Sequence, residues 1–155
     1  MGFFPTPNAR EILGRWSRGR RLRQPGLPGD RGPHQCLCRT HGDFTPVHVD
    51  EEYAKTTPFG TRVAHGLFGL SIADGLKTRS EYRFFPGMSL GWTWDFVLPI
   101  KIGDTLHVRF CVTGLRASRS RPGWGIVILP SELINQHGQV VQKGEHRLMI
   151  PRRPV

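Results

Sequence analysis

The sequence predicts an α+β domain: an antiparallel sheet wrapped around one central, buried helix. Three observations carry this. The run Gly66-Leu67-Phe68-Gly69-Leu70-Ser71-Ile72-Ala73 is apolar or small on nearly every helical face, as a buried helix must be. Four segments with period-two apolar alternation follow it, which is the pattern of half-buried strands. Turn residues separate them, and one helix followed by four strands buries its apolar surface best with the sheet on the helix.

Each element can be justified in chain order. His48 to Lys55 is a mixed polar and apolar stretch long enough for one or two helical turns, and Thr56-Thr57-Pro58-Phe59-Gly60 is a loop. His65 to Lys77 is the central helix. Its glycines Gly66, Gly69 and Gly75 lower helix propensity but allow close packing. Ser89 to Leu98 alternates Trp92, Trp94 and Phe96. Pro99 to Asp104 is a turn. Thr105 to Leu115 alternates Leu106, Val108, Phe110 and Val112. Arg116 to Gly125 is a basic loop. Ile126 to Ile134 is a third strand, with Pro130 expected at a bulge or an edge. Asn135-Gln136-His137-Gly138 reverses the chain, and Val140 to Ile150 is the fourth strand.

The chain of 155 residues is one domain's length. No apolar run approaches the roughly 18 residues of a spanning helix, and the opening residues lack the features of a secretory signal. Three cysteines, Cys36, Cys38 and Cys111, make no disulfide framework, so a cytoplasmic setting is expected. The net charge of +10 is uneven. Residues 10–41 hold eight arginines against Glu11 and Asp30, giving +6, and residues 42–155 hold fourteen Lys/Arg against ten Asp/Glu, giving +4. Residues 1–41 form an atypical Arg/Gly/Pro-rich segment without helical or strand period, expected to pack poorly. Residues 42–150 form the folded domain, and 151–155 a basic tail. An arginine arm for nucleic acid needs stacking aromatics, and only Trp16 lies between residues 5 and 43, so neither nucleic acid nor membrane is expected as a partner.

The chemistry concentrates in Gly42-Asp43-Phe44-Thr45-Pro46-Val47-His48, followed by Ala64-His65-Gly66. Pro46 keeps Thr45 out of helical geometry, so Asp43 and His48 sit on a shaped loop, suited to acid/base work on a shared water. Gly66 opens the central helix, where unsatisfied N–H groups and the helix dipole favour developing negative charge. The plainer alternatives are a turn-capping Asp43 and a structural His48. The spacing of His48, Asp50, Glu51 and Glu52 fits no helical metal motif, and Cys36-Leu37-Cys38 has one spacer where zinc and redox pairs have two; no metal and no cofactor are expected.

These residues resemble the hydratase motif of the MaoC-like, (R)-specific enoyl-CoA hydratase family: Gly-Asp-x-Asn-Pro-(Leu/Ile/Val)-His, five residues, then Ala or Ser. Here the motif ends on Ala54, and Thr45 stands in place of the usual Asn. Phe59 to Gly66, Pro99 to Leu106 and Asn135 to Gly138 also resemble later blocks of the family. The resemblance implies a hot-dog fold, a homodimer or higher homo-oligomer, and an acyl-CoA thioester substrate. It implies that Asp43 and His48 activate water and that the Gly66 N–H polarises the thioester carbonyl. Thr45, Pro46, Phe59, His65, Ser71 and Asp74 are then the expected substrate-binding residues, with Asp74 either lining the pocket or capping a neighbour. Arg116–Arg121 is either a contact for the nucleotide phosphates of coenzyme A or a solvated loop. The expected reaction is reversible hydration of a trans-2-enoyl-CoA. The alternatives are a hot-dog thioesterase, a non-catalytic acyl-CoA-binding relic and, more remotely, a basic nucleic-acid-binding protein.

The family begins with a strand and helix where this chain has its arginine-rich stretch. Codons for Gly29 to Thr40 can be written so that one base out of frame they give Val-Thr-Glu-Ala-His-Ile-Asn-Ala-Phe-Ala-Gly-Leu, which resembles the family's first helix. Two compensating frame errors or indels across roughly residues 13–41 are therefore expected in the gene.

Overall fold

The computed structural model describes residues 17–18, 22–23, 33–80, 84 and 87–152. Four helices precede the main strands: α1 (Pro33–His41), α2 (Pro46–Val49), α3 (Glu51–Lys55) and α4 (Gly66–Thr78). The strands are β1 (Ser17–Arg18), β2 (Leu22–Arg23), β3 (Met88–Phe96), β4 (Thr105–Phe110), β5 (Gly114–Ala117), β6 (Trp124–Ile134) and β7 (Val140–Pro151).

The strands form one antiparallel sheet in the order β1-β4-β6-β7-β3. β2 also pairs with β4, and β5 with β6. β7 pairs along the whole of β6, so β4 and β5 share the other edge of β6. The expected strand from Thr105 to Leu115 is thus split in two. The split has a local cause on the neighbouring strand. The Cys111 N–H donates to the Pro130 carbonyl at 3.2 Å, but proline has no N–H to return, so the ladder is interrupted there. Pro130 lies inside a central strand, paired on its other side with Glu145, and not at an edge.

Period-two burial is clearest in β4, where Leu106, Val108 and Phe110 are buried. With Leu129, Leu133, Val141, Phe68, Ala73 and Leu76 they form the core between the sheet and α4. The central helix is buried on one side only. Phe68, Gly69, Ala73, Leu76 and Lys77 face the sheet, whereas Leu67 is half exposed and Ser71 and Asp74 are exposed. This corrects the expectation of a helix buried all round: against a single sheet, only one stripe of a helix can be covered.

At its described end the N-terminal segment does pack against the rest of the fold. Residues 33–41 form α1, with Cys38 fully buried and Leu37 packed against the core. Among its described side chains, Leu37 and Cys38 supply the apolar contact, too few to show a period. Most of the segment expected to pack poorly, and of the stretch expected to be frame-shifted, lies outside the described residues.

Candidate active site

The site is assembled by the turn after α1, the α2–α3 segment and the start of α4. α1 ends on Gly42, whose φ of 80° takes the chain out of the helix and into the loop carrying Asp43. Asp43 Oδ1 accepts from the Thr45 backbone N–H at 2.9 Å and from Thr45 Oγ1 at 2.6 Å. Thr45, standing where the motif has asparagine, thus binds the carboxylate through both backbone and side chain. Pro46 occupies the first turn of α2, where its missing N–H costs nothing. One turn on, His48 donates from Nδ1 to the Val63 carbonyl at 2.8 Å. A carbonyl can only accept, so Nδ1 carries a proton and Nε2 is the ring atom able to exchange one.

Val63 is held on both sides. Its N–H donates to the Val47 carbonyl at 3.2 Å, and it bridges to Lys101. The Ala64 N–H donates to the Ile100 carbonyl at 2.8 Å. Glu51 secures the preceding loop, accepting from Thr61 Oγ1 at 2.9 Å and from Arg62 Nε at 3.1 Å. These contacts deliver His65 to the start of α4. His65 is the N-cap: its Nδ1 accepts from the Leu67 N–H at 3.1 Å. That bond places the ring proton on Nε2, which lies 2.9 Å from Asp43 Oδ2. The His48 and His65 rings are 5.2 Å apart.

Asp43, His48 and His65 thus converge, their ligating atoms all within 4.8 Å of one another. A metal ion there needs a lone pair on His65 Nε2, the atom that the N-cap bond leaves protonated. The geometry suits a hydrogen-bonded acid/base cluster better than a metal centre. The two Thr45 bonds, side chain first, lower the Asp43 pKa to about 2, with smaller help from His65 and His48. Its carboxylate is ionised at neutral pH.

Gly66 supplies the third component. Of the first N–H groups of α4, Leu67's goes to the His65 side chain and Phe68's to the His65 carbonyl at 2.9 Å. The Gly66 N–H has no acceptor among the described residues. The Gly66 carbonyl accepts from Gln142 Nε2 at 3.0 Å, while Gln142 Oε1 accepts from Trp94 Nε1 at 2.8 Å. A Cβ on Gly66 would stand 2.8 Å from the far end of the Phe96 ring, so any side chain there must push that exposed ring aside.

The sequence-predicted residues divide accordingly. Asp43, Thr45, Pro46, His48, His65 and Gly66 come together. Phe59 sits on the 56–60 loop, 41% exposed. Ser71 turns back to donate to the Phe68 carbonyl at 2.8 Å. Asp74 accepts from Lys77 Nζ at 2.8 Å and lies roughly 12 Å along the helix from Gly66. Three contributors were missed. His41 accepts from the Asp43 N–H at 3.1 Å and packs 4.4 Å from the His65 ring; only its place beside the motif hinted at it. Gln142 and Phe96 come from strands distant in sequence, and Gln142 is one of several polar residues on its strand, so nothing local singled either out.

Comparison with known proteins agrees with this arrangement. The sequence profile of the MaoC like domain matches residues 37–124. The (R)-specific enoyl-CoA hydratase of Rhodospirillum rubrum is 32% identical over 114 residues, covering 72% of each chain. The 3-hydroxybutyryl-CoA dehydratase of Methylorubrum extorquens is 32% identical over 116 residues, 72% of this chain and 67% of that one. Among solved structures, the MaoC-like dehydratase from Rhodospirillum rubrum superposes with a TM-score of 0.73 at 29% identity, covering 92% of this chain and 94% of that one. The (R)-hydratase of Aeromonas caviae gives 0.68 at 26% identity, covering 90% and 96%.

Proposed function

Because the chain belongs to the MaoC-like domain family, we propose that it catalyses reversible hydration of a trans-2-enoyl-CoA, a reading carried by the convergence of Asp43, His48 and the Gly66 N–H. Asp43 and His48 hold one water. A carboxylate with a pKa near 2 is a weak base, so Asp43 orients the water, and the His48 imidazole, its lone pair on Nε2, takes the proton. The water oxygen bonds to the β-carbon, and the C=C electron pair moves into the thioester as an enolate-like oxygen. The Gly66 N–H, at the positive end of α4, stabilises that oxygen. His48 then returns the proton to the α-carbon, so that H and OH have been added across the double bond.

The chain is further proposed to act as a homodimer. β3 has no second partner among the described strands, and Met88, Leu90, Phe96, Val97 and Leu98 on and just after it are exposed. A cytoplasmic location is supported by three free cysteines; no described helix is long and apolar enough to cross a membrane. Sequencing the gene over codons 13–41 tests the frame-shift proposal, and codons that forbid the shifted reading end it.

The function is tested by mixing the protein with crotonyl-CoA and following loss of the conjugated enoyl-thioester absorbance, with Asp43→Asn alongside. Asp43-dependent loss without release of free thiol supports hydration. Thiol release indicates a thioesterase. No loss from folded protein rejects the hydratase reading for this substrate.

A further inference from the structure

Gly42 is a hinge in front of the site. It is exposed, its φ of 80° lies in the left-handed region, and a Cβ there would meet nothing within 4 Å. No packing on it steadies the peptide that joins α1 to Asp43, and a glycine left to itself lets that peptide rotate. The Gly42 N–H donates to the Cys38 carbonyl at 2.8 Å, the single bond with which many helices close on a left-handed residue. In the two-bond form of that ending the next N–H also turns back onto the helix. Here the next N–H, that of Asp43, goes to His41 Nδ1 at 3.1 Å instead.

The His41 bond spans the hinge. An Asn side chain makes the same arrangement in an Asx turn, with its oxygen on the N–H two residues on, and Nδ1 hangs from Cγ as that oxygen does. Asp43 repeats the pattern, accepting from the Thr45 N–H at 2.9 Å. A ring nitrogen that accepts carries no proton, so the His41 ring is neutral with its proton on Nε2. Asp43 is then fixed at both ends. His41 holds its N–H, Thr45 holds Oδ1, and Oδ2 is left facing His65 Nε2 at 2.9 Å. The His41 ring also lies 4.4 Å from the His65 ring, centre to centre. These contacts close a circuit, His41 to Asp43 to His65 and back, which ties the end of α1 to the start of α4. His41 stands one residue ahead of the motif Gly42–His48 and is exposed, so it is not there to fill the core.

We propose that His41 is a positioning residue for the reaction: its Nδ1 locks the Gly42 hinge, so that the Asp43 carboxylate meets both His65 and the water. This rests on the hydratase reading above. His41 touches neither water nor substrate in this role and acts through Asp43. A displacement of about 1 Å at a reacting group can cost on the order of a hundredfold in rate, so loss of the anchor belongs in kcat.

Two variants of the full chain separate the anchor from the ring contact. His41→Asn keeps an acceptor at the place of Nδ1 and removes the ring. His41→Phe keeps a ring beside His65 and removes the acceptor. With crotonyl-CoA, kcat is expected to stay within threefold of wild type for His41→Asn and to fall at least tenfold for His41→Phe, with KM within twofold in both. Equal loss in both, loss in His41→Asn alone, loss in neither, or a loss carried by KM overturns the proposal. A second readout needs no turnover. Nitrogen NMR of histidine-labelled protein at mildly alkaline pH should show His41 bare at Nδ1 and protonated at Nε2, a result that requires no variant. The His65 Nε2 proton should be protected from solvent exchange in wild type and in His41→Asn, and unprotected in His41→Phe. A proton on His41 Nδ1, or equal protection in both variants, overturns the anchor. If wild type hydrates nothing while these signals behave as expected, the hydratase reading fails and the anchor stands. If it hydrates and they do not, the anchor alone fails.

Discussion

His65 Nε2 and Asp43 Oδ2 lie 2.9 Å apart, and the proton between them is fixed by a third group, the Leu67 N–H that occupies His65 Nδ1. One side chain thus caps the central helix and orients the Asp43 carboxylate. The two duties separate by mutation. Asparagine is a good N-cap but too short to reach Asp43. His65→Asn should hold stability within about 0.5 kcal/mol of wild type while kcat/KM falls about 10–100-fold. His65→Ala should lose the same activity and about 1 kcal/mol of stability besides. Urea unfolding and steady-state kinetics on both variants check this; equal stability losses would remove the cap.

Thr45 should set the ionisation of Asp43. With a folded pKa depressed to about 2, the carboxylate's favourable interactions are complete above its ordinary value near 3.8 and are lost as pH falls through 2. An acid limb of kcat/KM above pH 4 therefore belongs to another group. Thr45→Val removes the hydroxyl bond and should move the Asp43 carboxyl titration upward toward 3.8, whereas Thr45→Asn should leave it low. Carbon NMR of the Asp43 carboxyl reads the shift directly.

Gly66→Ala forces a Cβ against the Phe96 ring. The expected cost is about 1–3 kcal/mol of stability, with displacement of the helix start. kcat/KM should fall tenfold or more. Adding Phe96→Ala should recover part of both losses, a non-additivity that a double-mutant cycle would show.

A second polar cluster makes an acid-stability prediction. Lys77 Nζ, buried on α4, donates to Asp74 and to His146 Nδ1, and Ser89 Oγ accepts from His146 Nε2 at 2.8 Å. Trp92 stacks on the His146 ring at 3.7 Å. Burial, then the Lys77 charge, pushes the His146 pKa down to about 4 from 6.5. The unfolded chain then binds the extra proton first. The stability that neutral His146 supports is complete above pH 6.5 and is lost as pH falls from 6.5 to 4. Urea midpoints at pH 7, 5.5 and 4.5 should fall in that order. In His146→Gln the drop should be smaller.

Much of this architecture was legible because it is local. The four strand segments announce themselves by alternation, and Asp43, Thr45, His48, His65 and Gly66 lie within 24 residues. What escaped depends on pairing at a distance. The break between β4 and β5 is imposed by Pro130, a residue of the neighbouring strand. Lys77 meets His146 across 69 residues, and Asp74, read as lining the pocket or capping a neighbour, accepts from that lysine one turn away. α1 was invisible because its sequence, Pro-His-Gln-Cys-Leu-Cys-Arg-Thr-His, has almost no apolar stripe.

The bond from Gln142 to Gly66 spans 76 residues, and Phe96 reaches the same glycine from another strand. Contacts of such high sequence separation close late, after shorter loops have formed. During synthesis, a nascent chain ending before residue 142 has the Asp43 loop and the whole central helix but not the amide that seats the helix start. Catalytic competence should therefore arrive with the last strand.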